Sequence, residues 1–379
     1  MRHAAGVVVA ALAALALAGP AASSDGPLIQ DAKTRAEGRA RAIADRPPVR
    51  GMVLGIYSDD DGDSYVQALE EIAALGADHV LIIVQEVMKD VRSTEVGPRS
   101  WLTPSPERLD HALATARELG LGIVLMPSLF LEETRDGEWR GAIEPKSWRA
   151  WWKSYEAFIL KNAELAAKHR VEIFSVGSEL CSTEDQRANW ARLIQRARAM
   201  TPSLMTYSFN WDHTSQGRIT DLIDVIGMNA YHDLAESAGT PKAELVHSWR
   251  RLQETLLPWQ RSQQRRILFT EVGYRSVVRP EKDAWNYLEV QDYDGRAQQR
   301  CYEAFLEAWQ SRREVAGIFF YQWRGEGGEG DTGYTPRGKP AAESLRRAWG
   351  GADADPLLEL LPAVTPAPTP TTPGTRPGS

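Results

Sequence analysis

Residues 79–84 read HVLIIV, and residues 122–126 read GIVLM. Neither run alternates apolar with polar positions. A strand of that kind is buried on both faces, as in a parallel sheet covered by helices. Each run is followed by a longer stretch at helical spacing, 105–119 after the first and 147–169 after the second. The pairing recurs along the chain. Met52–Tyr57 precedes a stretch with Tyr65, Ala68, Leu69, Ile72 and Ala73 on one helical face. Val171–Val176 precedes 184–200, and Leu204–Phe209 has only 216–222 after it. Asp224–Met228 precedes 241–257, Arg266–Thr270 precedes 294–313, and Ala316–Tyr321 precedes 340–349. Strand–helix units repeated eight times and closing on themselves predict a single-domain α/β protein, the (β/α)8 TIM barrel. An open doubly wound sheet needs a Gly-rich phosphate turn after its first strand, and IYSDDDGDSY (56–65) is not one.

The barrel is expected over 49–350, preceded by a polar lead-in at 25–48. Residues 1–24 read as a secretory signal peptide: Arg2 is a positive start, Ala4–Ala18 is small and apolar, and Pro20, Ala21 and Ala22 suit cleavage. The apolar run is too short to span a bilayer. Secretion to the extracellular space or periplasm is therefore expected, with no stable membrane insertion. Residues 351–379 end in a stretch where Pro and Thr alternate. That composition buries too little apolar surface to offset its ordering entropy, and predicts a disordered tail. Across 379 residues the formal charge is −7, which gives no electrostatic footprint for nucleic acid. Two cysteines cannot form a disulfide scaffold. Cys181 and Cys301 fall on opposite sides of the barrel and read as buried thiols.

Barrel chemistry sits at the C-terminal ends of the strands. The residues at those exits are Tyr57 and Asp59–Asp61; Gln85 and Glu86; Pro127 and Ser128; Gly177, Ser178 and Glu179; Asn210, Trp211, Asp212 and His213; Asn229, Tyr231 and His232; Glu271; and Gln322 and Trp323. This ring of carboxylates, hydroxyls, amides and aromatics has no His/Cys cluster at metal spacing and no G-x-S-x-G elbow. His213 and His232 are neighbours in the ring, but at a spacing unspecific for a metal. No metal and no cofactor are expected. The acidic run Asp59–Asp63 lacks the spacing of a calcium loop and reads as a solvated loop with a helix cap.

Glu179 and Glu271 each end a buried strand, in VEIFSVGSE (171–179) and ILFTE (267–271). A rigid pair of carboxyls, one protonated and one ionised, is what glycoside hydrolysis requires. The bland alternative is a strand-end carboxylate paired with a nearby Arg such as Arg275.

The segments FSVGSEL (174–180) and LFTEVGYRS (268–276) resemble the catalytic strands of glycoside hydrolase family 113. WRGAIEP (139–145), SFNWDH (208–213), VIGMNAY (225–231), FFYQW (319–323) and YTPRGKPA (334–341) are similar to that family in order and spacing. The resemblance implies a retaining endo-β-1,4-mannanase with Glu179 as general acid/base and Glu271 as nucleophile. It implies that Tyr231 hydrogen-bonds the nucleophile and that Trp323 is a sugar-stacking platform. In that scheme Glu271 is ionised and the pKa of Glu179 is raised. Asn210, Trp211, Ser178, Gln322, Asn229 and Glu86 complete the expected substrate-binding set. Ser178 stands where many enzymes of the clan have Asn, and VQEVMKD (84–90) lacks a subsite aromatic.

Of the thirteen tryptophans, Trp148, Trp151, Trp152, Trp190, Trp249, Trp309 and Trp349 lie at helical positions, with Trp259 just beyond one, and read as packing. Trp101, Trp139, Trp211, Trp285 and Trp323 fall in loops or strand exits and are candidates for stacking on sugar rings. The expected partner is a polysaccharide or oligosaccharide, and the expected state is a monomer. A non-catalytic sugar-binding barrel, or a glycosidase or transglycosylase for another β-glycan, are the competing readings.

Overall fold

The computed structural model describes residues 26–59, 64–135, 137–214 and 217–350. The expected signal peptide and the Pro/Thr tail lie outside them. Eight parallel strands close into a barrel in sequence order. They are β1 (Val49–Gly55), β2 (His79–Met88), β3 (Gly122–Leu131), β4 (Ile173–Ser178), β5 (Leu204–Phe209), β6 (Val225–Asn229), β7 (Ile267–Val272) and β8 (Val315–Phe320). The helices are α1 (Pro27–Ala42), α2 (Tyr65–Ala74), α3 (Pro106–Glu118), α4 (Trp148–Lys168), α5 (Arg187–Met200), α6 (Lys242–Gln263), α7 (Gly295–Trp309) and α8 (Pro340–Trp349). Ser64, Ser105, Ser147 and Asp294 cap α2, α3, α4 and α7 by accepting a first-turn backbone N–H.

Two apolar layers follow from the strand alternation. Val53, Leu81, Ile83, Val124, Met126, Val225, Leu268 and Phe319 fill the barrel. Met52, Val80, Ile82, Phe174, Tyr207, Met228 and Phe269 face outward to the helices. Trp151, Trp152, Trp190, Trp249, Trp309 and Trp349 are buried in that outer layer, as their helical spacing predicts.

Between β5 and β6 the described residues hold no α-helix, and the 3-10 turn Thr220–Leu222 leads into β6. The segment expected as a polar lead-in supplies the missing cover. α1 packs on α5 and on this turn, burying Ala32, Ala36 and Ala40. Arg39 ties it down, donating from Nε to Asp224 Oδ2 at 3.0 Å and from an Nη to the Ser203 carbonyl at 2.7 Å. Three small alanines at helical spacing in an otherwise polar helix carry little apolar signal, so the packing face was not visible in the sequence.

The two strands that carry the glutamates break register just before them. Ser175 pairs with Thr206 but Ser178 with Ser208, so β4 has one extra residue against β5. Met228 pairs with Phe269 but Asn229 with Glu271, so β7 has one extra against β6. Such a bulge shifts the inside–outside alternation by one residue and re-aims the side chain that follows.

Candidate active site

In β7, Leu268 points into the barrel and Thr270 meets Ser208 across it, hydroxyl to hydroxyl at 2.5 Å. Strict alternation would send Glu271 outward with Phe269. The bulge keeps it at the barrel mouth, where the Tyr231 hydroxyl donates to Glu271 Oε2 at 2.9 Å. Gly273 makes room for this contact, since a Cβ there would stand 2.8 Å from Tyr231 Cε1 and 3.1 Å from Tyr334 Cδ1.

Glu179 arrives by a different distortion. Its φ is +57°, a left-handed conformation uncommon for a side chain of this size and usually held only where the surroundings impose it. Its N–H donates to the Ser208 carbonyl at 2.8 Å. Arg140 donates to Glu179 Oε2 at 2.5 Å, and the Asn229 amide donates to Oε1. Asn229 is itself oriented, because its carbonyl oxygen accepts the Trp211 N–H at 2.7 Å.

Both carboxyls are buried, at 9% and 7% exposure. Burial, and then the charge of Glu179, push the Glu271 carboxyl up to about 7, against the opposing pull of Arg140 and of the Tyr231 hydrogen bond. Burial also disfavours charge on Arg140, but Glu179 and Glu271 outweigh it and hold the guanidinium above its usual range. The raised carboxyl is thus Glu271, the group that the resemblance implies is the ionised nucleophile.

Glu179, Glu271, Asn229 and Tyr231 are brought together as expected, and Trp211 adjoins them through its backbone. Ser178 lies directly before Glu179, with its hydroxyl buried and without a hydrogen-bond partner among the described residues. Asn210 turns to Asp212 at 2.7 Å. Gln322 is half-buried at the β8 exit. Two expectations are corrected. Glu86 is buried against α4, where Lys161 donates to it, so it faces the helix layer and not the mouth. Trp323 is also turned outward: its ring is buried in the outer layer, and its Nε1 donates to Glu71 on α2 at 2.8 Å.

Three residues were not singled out. Tyr321, two positions before Trp323, packs on the barrel's inner layer and lies within electrostatic range of Glu271 and Arg140. Tyr334 sets its ring edge-on to Tyr321 at 5.4 Å and near Tyr231 at 6.3 Å. Arg140 comes from the loop after β3, inside the quoted segment WRGAIEP, and is the arginine that pairs Glu179. Arg275, the partner considered from sequence, instead donates to the carbonyls of Thr332 and Glu289. The signal available for Tyr321 was the alternation of β8 itself.

His232 is half-buried, and the desolvation of its ring lowers its pKa to about 4. Among the described residues no three His, Cys, Asp or Glu side chains gather to hold a metal. None of the described helices is long and apolar enough to cross a membrane. Cys181 and Cys301 are free thiols.

The sequence model of glycoside hydrolase family 113 matches residues 53–339. The chain belongs to that family and is a glycoside hydrolase. Among solved structures, it is similar to the family 113 β-mannanase of Alicyclobacillus acidocaldarius, solved in complex with ManMIm. The identity is 25% and the TM-score 0.72, covering 81% of this chain and 98% of that one. A second family 113 β-1,4-mannanase shares the fold at 20% identity and TM-score 0.71, covering 81% and 100%. A β-glucuronidase of an uncultured Clostridium sp. shares it at 17% identity and TM-score 0.55, covering 81% and 51%. No curated protein matches the sequence.

Proposed function

We propose that the protein is an exported, endo-acting, retaining hydrolase of β-1,4-linked mannan or glucomannan. The observation that carries this reading is the pair itself. Two buried glutamates on β4 and β7 share one site but have different partners, Arg140 and Asn229 for Glu179, Tyr231 for Glu271. The β-mannanase identity of the similar family 113 structures supports the choice of sugar. Exposed Trp101 stacks edge-on against Phe130 at 5.7 Å, and Trp139 and Trp285 are also exposed. All four lie in loops or strand ends on the face that carries the glutamates, where flat rings suit the apolar faces of a glycan chain.

In the first step Glu179 gives its proton to the glycosidic oxygen while Glu271 attacks the anomeric carbon. The C–O bond breaks with its electron pair going to the leaving sugar. In the second, water attacks the same carbon, Glu179 takes the water's proton, and Glu271 leaves as a carboxylate. The mechanism calls for carboxyls about 5–5.5 Å apart. Tyr231 holds the orientation of Glu271 and favours its ionised form.

One observation favours a second assignment. The carboxyl lifted to about 7 is Glu271, which taken alone would make it the acid. Trapping with a 2-fluoro-2-deoxy-mannoside carrying a good leaving group separates the two. The covalent sugar is expected on Glu271, and an adduct on Glu179 would exchange the roles. The substrate is tested by sugar release from mannan, glucomannan, galactomannan, cellulose and xylan, with Glu179→Gln and Glu271→Gln beside the parent. Turnover of mannans that both variants abolish is expected. Binding without turnover on every glycan would instead mark a non-catalytic barrel.

A further inference from the structure

A further buried carboxylate lies behind the site, on the helix side of the barrel. Glu184 is 3% exposed, and it accepts hydrogen bonds from the Tyr207 hydroxyl and the Arg218 backbone N–H. Its Oε1 accepts the Tyr207 hydroxyl at 3.1 Å. The same hydroxyl oxygen accepts the backbone N–H of Leu180 at 2.7 Å. Leu180 follows Glu179 directly, so this chain of two bonds grips the peptide on the C-terminal side of the left-handed residue. The peptide on the other side is held by Glu179 N–H on the Ser208 carbonyl. Leu180 is fixed once more through its carbonyl, which accepts Thr183 Oγ1 at 2.7 Å.

The ring of Tyr207 has little freedom. It lies edge-on to Trp190 at 5.2 Å and to Phe209 at 4.7 Å. Gly177 lets it press on β4: a Cβ there would stand 3.0 Å from Tyr207 Cε2, 3.0 Å from Trp190 Cη2 and 2.9 Å from the Tyr155 hydroxyl. Burial lifts the Glu184 carboxyl to about 7, a sign that the protein keeps an acid where water would serve it better. Such a group is retained for a reason other than the stability of its charge.

We infer that Glu184 and Tyr207 are positioning residues for the general acid/base. Through the Leu180 N–H they impose the backbone conformation that aims the Glu179 carboxyl at the glycosidic oxygen. Neither touches the substrate. The inference rests on the assignment of Glu179 proposed above.

The test uses the difference between substrates that need an acid and those that do not. Tyr207→Phe removes both bonds, Glu184→Leu removes the acceptor, and Glu184→Gln keeps a carbonyl oxygen for Tyr207. On mannan, whose leaving group needs a proton, kcat is expected to fall about a hundredfold for Tyr207→Phe and Glu184→Leu, the loss associated with a misplacement near 1 Å. KM should change little. On a dinitrophenyl β-mannoside, formation of the glycosyl-enzyme needs no proton and should keep its rate, and azide should accelerate turnover by giving a β-mannosyl azide. Glu184→Gln should stay near the parent on both. An equal loss on both substrates, without azide acceleration, would make the pair merely structural and overturn the inference. Glu179→Ala is the control. If it shows no azide product, the assignment of Glu179 fails; if it does and Tyr207→Phe does not, only the present inference fails.

Discussion

Glu271→Gln should make the protein more stable at pH 8 while abolishing turnover. The folded carboxyl titrates at about 7, against an ordinary value of 4.5. A raised carboxyl binds its proton more tightly in the folded state, so the folded protein loses stability as pH rises from 4.5 through 7 and recovers none of it above. At about 1.4 kcal/mol per unit, the full loss above pH 7 is about 3 kcal/mol. At pH 5 the same linkage leaves less than about 1 kcal/mol. Glutamine keeps the side-chain shape and an oxygen for the Tyr231 hydroxyl, and it leaves the Arg140–Glu179 pair in place. The gain should therefore be the charge's own contribution. Urea unfolding of parent and variant at pH 5 and pH 8 measures it, and by calorimetry the pH 8 gain corresponds to a rise in Tm of about 5 °C or more. A variant no more stable than the parent at pH 8, or equally stabilised at both pH values, would refute the reasoning that Glu271 is held charged against its surroundings.

Arg140→Met removes the cation that lowers the Glu271 pKa, so the acidic limb of kcat/KM should move up by about one pH unit, and an unmoved limb would detach Arg140 from the nucleophile. Tyr321→Ala should raise KM for manno-oligosaccharides at least tenfold, the scale of about 1.4 kcal/mol expected for one lost stacking ring. Trp323→Phe should leave KM unchanged, because that ring faces α2; the opposite ranking in steady-state kinetics would restore Trp323 as the platform. Ala36→Leu overfills the contact of α1 with α5 and should lower stability by about 1–3 kcal/mol in urea, whereas a loosely attached α1 would show no change.

The barrel was legible because its strands are apolar without alternation and its helices carry wide apolar faces. What helical spacing could place, it placed: Trp151, Trp190, Trp249 and Trp309 are packing. The exposed rings of Trp101, Trp139 and Trp285 remain open to a glycan. The cover after β5 was hidden because α1 packs through alanines. Arg140 was hidden because its loop makes no periodic pattern, and nothing local ties residue 140 to residue 179. Trp323 was misplaced because alternation does not continue past β8: it shares the parity of Tyr321, which faces inside, yet the chain leaves the strand after Phe320 and Trp323 turns outward.

Glu86 shows why parity alone does not find the site. It stands at a strand exit like Glu179 and Glu271, it is buried, and it is the same residue type. Yet β2 pairs with β3 from His79 to Met88 without a register shift. Regular alternation therefore carries Glu86 outward with Val80, Ile82 and Val84, and it ends against Lys161. In β4 and β7 one extra residue precedes the glutamate, and in β4 a left-handed residue is added. In β7 the extra residue turns toward the barrel axis a carboxyl that alternation with Phe269 would have sent to the helices. In β4, where alternation from Ile173 already points Glu179 inward, the extra residue alone would turn it out, and the left-handed residue is the second departure that accompanies it. The strand rules fail at the two positions where a rigid inward carboxyl is required, and hold at the third, where only an ion pair with α4 results.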